Sequence, residues 1–187
     1  MAPNRRKMIV DAATKSFSLF GYKATTMDQV AKLANVGKGT IYTFFKNKEE
    51  LFEEIMSSLV KEMIAEAEAV LKPELPFTEN VHRGLYRILE FRSRHQLMIK
   101  LAQEEKEMGT IAVSDMLQHV EDEIIAYLKQ KIEAAMAKGA IPKTNPEIIS
   151  FLLLKMYVAL LSDWEKKHEP LSSDEIAEIM KGLLLHS

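Results

Sequence analysis

Apolar residues step along this chain by threes and fours from one end to the other, and nowhere do they alternate over the length of a strand. That spacing lays them on one stripe of an α-helix, whereas a half-buried strand needs a period of two. Residues 5–20 carry Ile9, Ala13, Phe17 and Phe20 in such steps, and Gly21 follows in the place that ends helices. Thr26 with Gln29 three residues on is a capping box that opens a short second helix, whose apolar face is Met27, Val30, Ala31 and Ala34. Asn35 marks a tight turn, because Asn tolerates a left-handed backbone. Val36 to Phe45 then makes a third helix with Ile41 and Phe45 as an inward pair.

The pattern continues in longer segments. A fourth helix runs from near Lys48 to about Leu71 and is stopped by Lys72-Pro73 and Pro76. Thr78 caps a helix bearing Val81, Leu85, Ile88 and Leu89, and a shorter one with Leu97, Met98, Leu101 and Ala102 ends at Gly109. Thr110 to Lys138 keeps Val113, Leu117, Val120, Ile124, Leu128, Ile132 and Ala135 in register up to Gly139. Asn145-Pro146 pairs a capping residue with a proline at the first helical position. Ser172 with Glu175 is a second capping box before the last helix. The expected fold is all-α with about nine helices. Its domain boundary lies inside or beside the fourth helix, giving a head over residues 1–48 and a body over 49–187.

A net charge of −2 conceals an asymmetry between these parts. Residues 1–50 hold nine Lys and Arg against four Asp and Glu, and the remaining residues hold 16 against 23. A basic head on an acidic body points to a polyanionic partner for the head alone. Within the head, a capped helix, a tight turn and another short helix match a helix-turn-helix, whose second helix enters the major groove of double-stranded DNA. With Val36, Ile41 and Phe45 inward, Lys38, Thr40, Tyr42 and Thr43 lie at or near the opposite face, and all are side chains that contact phosphates or base edges. Gly37 and Gly39 each cost about 1 kcal/mol of helix propensity relative to Ala, a loss that makes sense where the backbone must approach phosphates. Lys48 and the free N–H groups at the start of its helix would grip one phosphate together.

From Ile9 to Phe52 the chain resembles the tetracycline-repressor (TetR) family of bacterial transcriptional regulators. The resemblance rests on Ala12-Ala13, Phe17, Phe20-Gly21-Tyr22, Thr25-Thr26, Val30-Ala31, Ala34-Asn35-Val36, Gly39-Thr40-Ile41-Tyr42, Phe45, Lys48-Glu49 and Leu51. Most members have Gly where this chain has Asn35. The resemblance implies phosphate contacts from Thr26, Thr40, Tyr42 and Lys48, and base reading around Lys38, Gly39 and Thr43. Phe44 stands where the family often has a polar residue, Tyr or His, and either touches a thymine methyl or packs.

For the body the resemblance implies a small-molecule effector pocket and a homodimer formed through the last two long helices. The penultimate helix agrees, because from Ile148 to Leu161 apolar residues cover all faces and Lys155 is the single charge. The expected interface is Ile148, Phe151, Leu152, Lys155, Met156 and Ala159 with Ile176, Ile179, Met180 and Leu183. Two heads would then read a palindromic operator. Large side chains available to line an apolar pocket are Tyr86, Phe91, Met98, Met116, Tyr127, Tyr157 and Trp164, with His95 and His119 to orient a polar group. For each, ordinary packing is the competing role.

Other classes fail on chemistry. The absence of Cys excludes disulfides, thiol nucleophiles, thiolate zinc sites and Fe–S clusters, and fits a cytoplasmic setting. His119, Asp122 and Glu123 share a helix face but read as a solvated surface, so no metal and no cofactor is expected. Gly37-Lys38-Gly39-Thr40 lacks the Ser or Thr after Lys that a phosphate-binding loop needs, and no G-x-S-x-G or H-E-x-x-H occurs, which argues against an enzyme. The apolar run in residues 148–161 is shorter than the ~20 residues a bilayer span needs, so no membrane partner is expected. The sequence therefore favours a ligand-responsive DNA-binding repressor. The alternative is an apolar-ligand carrier or helical interaction module whose basic head meets a membrane or a protein.

Overall fold

The computed structural model describes residues 4–184, and within them not the side chains of residues 161, 162, 165, 173 and 180–184. The described residues form nine α-helices and no strand: α1 Arg5–Phe20, α2 Met27–Leu33, α3 Lys38–Phe44, α4 Lys48–Ala69, α5 Phe77–Arg94, α6 Gln96–Met108, α7 Ile111–Ala137, α8 Pro146–Val158 and α9 Ser173–Leu184. After α8 the backbone passes into a π-helical turn, Ala159–Asp163, and a 3-10 turn, Trp164–Lys166.

The ends of these helices follow the local chemistry. Thr26 accepts the Gln29 N–H while the Gln29 side chain accepts the Thr26 N–H, so each satisfies a backbone donor at the start of α2. Asn145 accepts the N–H groups of Glu147 and Ile148 ahead of Pro146. Ser172 and Glu175 exchange the same reciprocal bonds before α9. Asn35 is the one non-glycine residue with a positive φ, 52°, among the described residues, and it sits where the sequence calls for a left-handed turn.

The described residues divide into two compact units, one made of the chain up to Lys61 together with Arg92–Val120, the other of Glu62–Phe91 and the chain from Glu121. The first unit thus holds the expected head and also α6 and the start of α7. Its core joins Ile9, Ala13 and Phe17 of α1 to Val30, Ile41, Leu51 and Phe52. Phe17, Tyr22 and Phe52 stack around one another with ring centroids 4.6–5.7 Å apart. Phe20, expected on the buried stripe of α1, is instead 61% exposed, because α1 ends there and Gly21 turns the chain away. Ala102 is likewise exposed on α6, whose inner face is Leu97, Met98, Leu101 and Glu104.

In the second unit, Val81, Leu85 and Ile88 of α5, Ile124, Leu128 and Ile132 of α7, Leu153, Leu154 and Tyr157 of α8 and Ile176 of α9 are buried. The Tyr157 hydroxyl and His82 Nδ1 lie 2.8 Å apart within this core, so both polar atoms are satisfied away from water. Burial pushes the Tyr157 phenol up from its ordinary value, which keeps it neutral.

Candidate nucleic-acid interface

α2 and α3 form the helix-turn-helix in three steps. The capping box fixes the start of α2, Asn35 reverses the chain, and Ile41 and Phe45 anchor the back of α3 in the core. What remains outward on α3 is Lys38, Gly39, Tyr42, Thr43 and Phe44, all exposed, with Thr40 half-buried beside them and Thr26 exposed at the α2 cap. The Thr26 hydroxyl oxygen is used by the Gln29 N–H, which leaves its proton free to donate outward.

Gly39 lies in open space, since a Cβ built there would meet no atom within 4 Å. The fold itself therefore does not require glycine at this exposed helical position. Gly37 is similar, its nearest neighbour being Thr40 Oγ1 at 3.6 Å. Lys38 Nζ donates to Asp28 Oδ2 at 2.8 Å, and this bond holds the ammonium's pKa above its usual value. Both side chains are exposed, so the pair is easily exchanged for a phosphate or a base edge. The Thr43 hydroxyl donates back to the Thr40 carbonyl at 2.7 Å and leaves its methyl and lone pairs outward.

Lys48 is placed differently. Its Nζ donates to the carbonyls of Tyr22 and Thr25 at 2.9 and 3.0 Å and lies 4.1 Å from the centre of the Tyr22 ring. Partial burial lowers its pKa. Two of the ammonium's three donors are spent on the chain before α2, so one remains for an anion at the start of α4. The Tyr22 hydroxyl in turn donates to Glu49 Oε1 at 2.8 Å, and burial followed by that carboxylate raises the phenol's pKa.

One residue that sequence reasoning missed completes this arrangement. Glu104 of α6 is 4% exposed, and its Oε1 accepts the Lys23 N–H at 3.0 Å. Its other oxygen fills the space a side chain on Gly21 would need, and Gly21 has φ 86°. The turn between α1 and α2 is thus clasped from inside by a carboxylate 81 residues away in the chain.

The expected effector residues fall in both units. His95, Met98, Met116 and His119 belong to the first unit and Tyr86, Phe91, Tyr127, Tyr157 and Trp164 to the second. Phe91, Met98 and Tyr157 are buried in core, His119 is exposed, and Trp164 is exposed and stacked on His168 at 3.8 Å. Tyr127 lines a cavity of about 390 Å³ in the second unit, between α5, α7 and the segment after α4. Tyr86 lines a more open, charged hollow of about 330 Å³ with Glu79, Arg83 and Arg87.

Of the expected dimer residues, Ile148, Phe151 and Leu152 are 55%, 46% and 46% exposed, and Lys155, Ala159 and Ile179 are exposed as well. Met156 is half-buried. On α8 these residues recur at helical steps and make one apolar outer face, on which Lys155 pairs with Glu121 at 2.5 Å. Ile176 is fully buried within this chain, where it packs the core. Met180 and Leu183 lie outside the residues whose side chains are described.

A capped helix-turn-helix presenting Lys38, Tyr42 and Thr43 beside an open glycine is the DNA-reading unit of a transcriptional regulator. Residues 9–55 match the family model of bacterial regulatory proteins of the tetR family. The HTH-type transcriptional regulator YhgD of Bacillus subtilis is 58% identical over 181 residues, covering 97% of this chain and 95% of that protein. The HTH-type transcriptional repressor NicS of Pseudomonas putida is 31% identical over 141 residues, covering 74% of this chain and 66% of that protein. Among solved structures, the transcriptional regulator FadR from Bacillus subtilis in complex with stearoyl-CoA shares the fold with a TM-score of 0.69 at 19% identity, covering 96% of this chain and 97% of that one. The chain belongs to the tetR family. It is a DNA-binding regulator of transcription, not an enzyme. Among the described residues, no helix is long and apolar enough to cross a membrane.

Proposed function

We propose that the protein is a homodimeric repressor that binds a palindromic operator through α3 and leaves it when a small, largely apolar effector occupies the second unit. The observation that carries the DNA-reading part is the outer face of α3, where Lys38, Tyr42 and Thr43 flank a glycine that the fold itself does not need. Lys38 exchanges Asp28 for DNA, Thr43 and Gly39 meet base edges, and Thr26, Thr40, Tyr42 and the remaining donor of Lys48 hold phosphates. Phe44, exposed at the end of α3, meets a thymine methyl.

Dimerisation is supported by the apolar face of α8, where Ile148, Phe151 and Leu152 stand exposed together. Two copies would present two α3 helices to half-sites one turn apart, about 34–36 Å. An effector is supported by the cavity of the second unit and by the stearoyl-CoA held by the structurally similar FadR. Its binding energy would reach the head through α4, which runs unbroken from Lys48 to Ala69, as a shift between operator-competent and incompetent populations. Repression follows when the operator overlaps a promoter, and the related NicS is named a transcriptional repressor.

Two experiments test this reading. Native mass spectrometry of the purified chain is expected to show two subunits, and a monomer at micromolar concentration would remove the dimer. Transcription in vitro from a promoter overlapping a duplex selected by the protein is expected to fall as protein is added. A rise would reverse the sign of regulation.

A further inference from the structure

We propose that the cavity of the second unit binds an apolar chain ended by a single carboxylate, with Lys138 as the group that selects the charge. This deepens the effector reading above and rests on it. The walls are apolar, formed by residues such as Leu71, Phe77, Leu85 and Leu128 together with Ala134 and Ala135, and the volume of about 390 Å³ is that of a small-molecule site. Four residues that line it carry a polar group, Asn80, Tyr127, Lys131 and Lys138, and none is acidic.

Three of the four are already engaged, Tyr127 through a hydrogen bond between its hydroxyl and Glu68. Asn80 clips the segment after α4, its Oδ1 accepting the Lys72 N–H at 2.8 Å and its Nδ2 donating to the carbonyls of Lys72 and Leu75. Lys131 Nζ pairs with Glu68 at 2.6 Å and lies 5.2 Å from the centre of the Tyr127 ring, so an anion meeting it must first displace a carboxylate. Lys138 makes no ion pair among the described residues. Nor does the end of α7 oppose an anion there. The Gly139 and Ala140 N–H groups bond back to the carbonyls of Met136 and Ala135 at 3.0 and 2.9 Å, covering oxygens that would otherwise carry partial negative charge. The cavity therefore offers apolar walls and one uncommitted cation, which suits a monocarboxylate with an apolar tail and disfavours the same tail bearing a cation.

Calorimetric titration of the full chain, without DNA, with decanoate, decanol and decyltrimethylammonium tests this. One decanoate per chain is expected, bound about tenfold tighter than decanol, with the ammonium weakest. Lys138→Ala should bring decanoate to the affinity of decanol and leave decanol unchanged. Ala134→Trp fills the cavity from an exposed position and should abolish both, with helicity and melting temperature retained. Equal affinity for the three compounds, no binding of decanoate, or binding indifferent to Lys138→Ala or to Ala134→Trp would overturn the proposal. Because no DNA is present, such a failure leaves the DNA-reading proposal standing, and failure to find an operator leaves this one standing.

Discussion

The outer faces of α3 and α8 are both exposed helix surfaces, yet they expose opposite chemistry. α3 turns out an ammonium, a phenol, a hydroxyl and a bare stretch of backbone at Gly39. α8 turns out Ile148, Phe151 and Leu152 with one lysine already paired to Glu121. Water solvates the first face well and the second poorly. The first therefore waits for a polyanion and gains by releasing counterions, while the second gains by being covered with another apolar surface. The two faces need each other in the proposed function, because a single α3 reads only a half-site.

The largest effect is expected from breaking the apolar face. Phe151→Asp should weaken self-association about thirtyfold or more, since loss of a central aromatic anchor costs about 2 kcal/mol or above. Sedimentation velocity reads the result, and an unchanged dimer would detach α8 from the interface. Next comes the support of the reading face. Glu104→Ala leaves the Lys23 N–H without its acceptor and should lower stability to denaturant by about 1–3 kcal/mol. Gln at the same position keeps an acceptor and should lose less.

Smaller changes sharpen the α3 face itself. Lys38→Ala should lower the slope of log affinity against log salt by about 1, and Thr43→Ala should change base preference at one position by ~1 kcal/mol with the slope preserved. The smallest effect is on pH dependence. Glu49's own backbone N–H, and then the Tyr22 hydroxyl, hold its carboxyl below the ordinary 4.5. A depressed carboxylate contributes stability above that value and loses it as pH falls through the lower folded one. Glu49→Gln should therefore flatten the acid limb of the stability curve, as measured by urea unfolding between pH 6 and 3, roughly the window that brackets an ordinary carboxyl.

What the sequence discloses follows the range of the interactions. The Thr26–Gln29 box, the turn at Asn35 and the Asn145-Pro146 start are bonds between near neighbours, so residue identities at fixed offsets announce them. The class of the head was legible for the same reason. Glu104 was not, because its partner lies 81 residues away and its own helix shows a stripe of Leu and Met around it. His82 and Tyr157, 75 residues apart, escape in the same way. Lys48 was legible as a cation at a helix start, but its bonds to the Tyr22 and Thr25 carbonyls depend on how the chain before α2 folds against α4. The cavity was harder still. Which large side chains line a void depends on where packing fails to close, and of the nine expected only Tyr127 lines the apolar one.

The most direct test of the central claim is selection of double-stranded DNA from a random pool at moderate salt, followed by native mass spectrometry of the retained complex. The account predicts an enriched inverted repeat carrying two chains, with enrichment at the half-site bases altered by Thr43→Ala. Retention of no sequence above the input pool would contradict it.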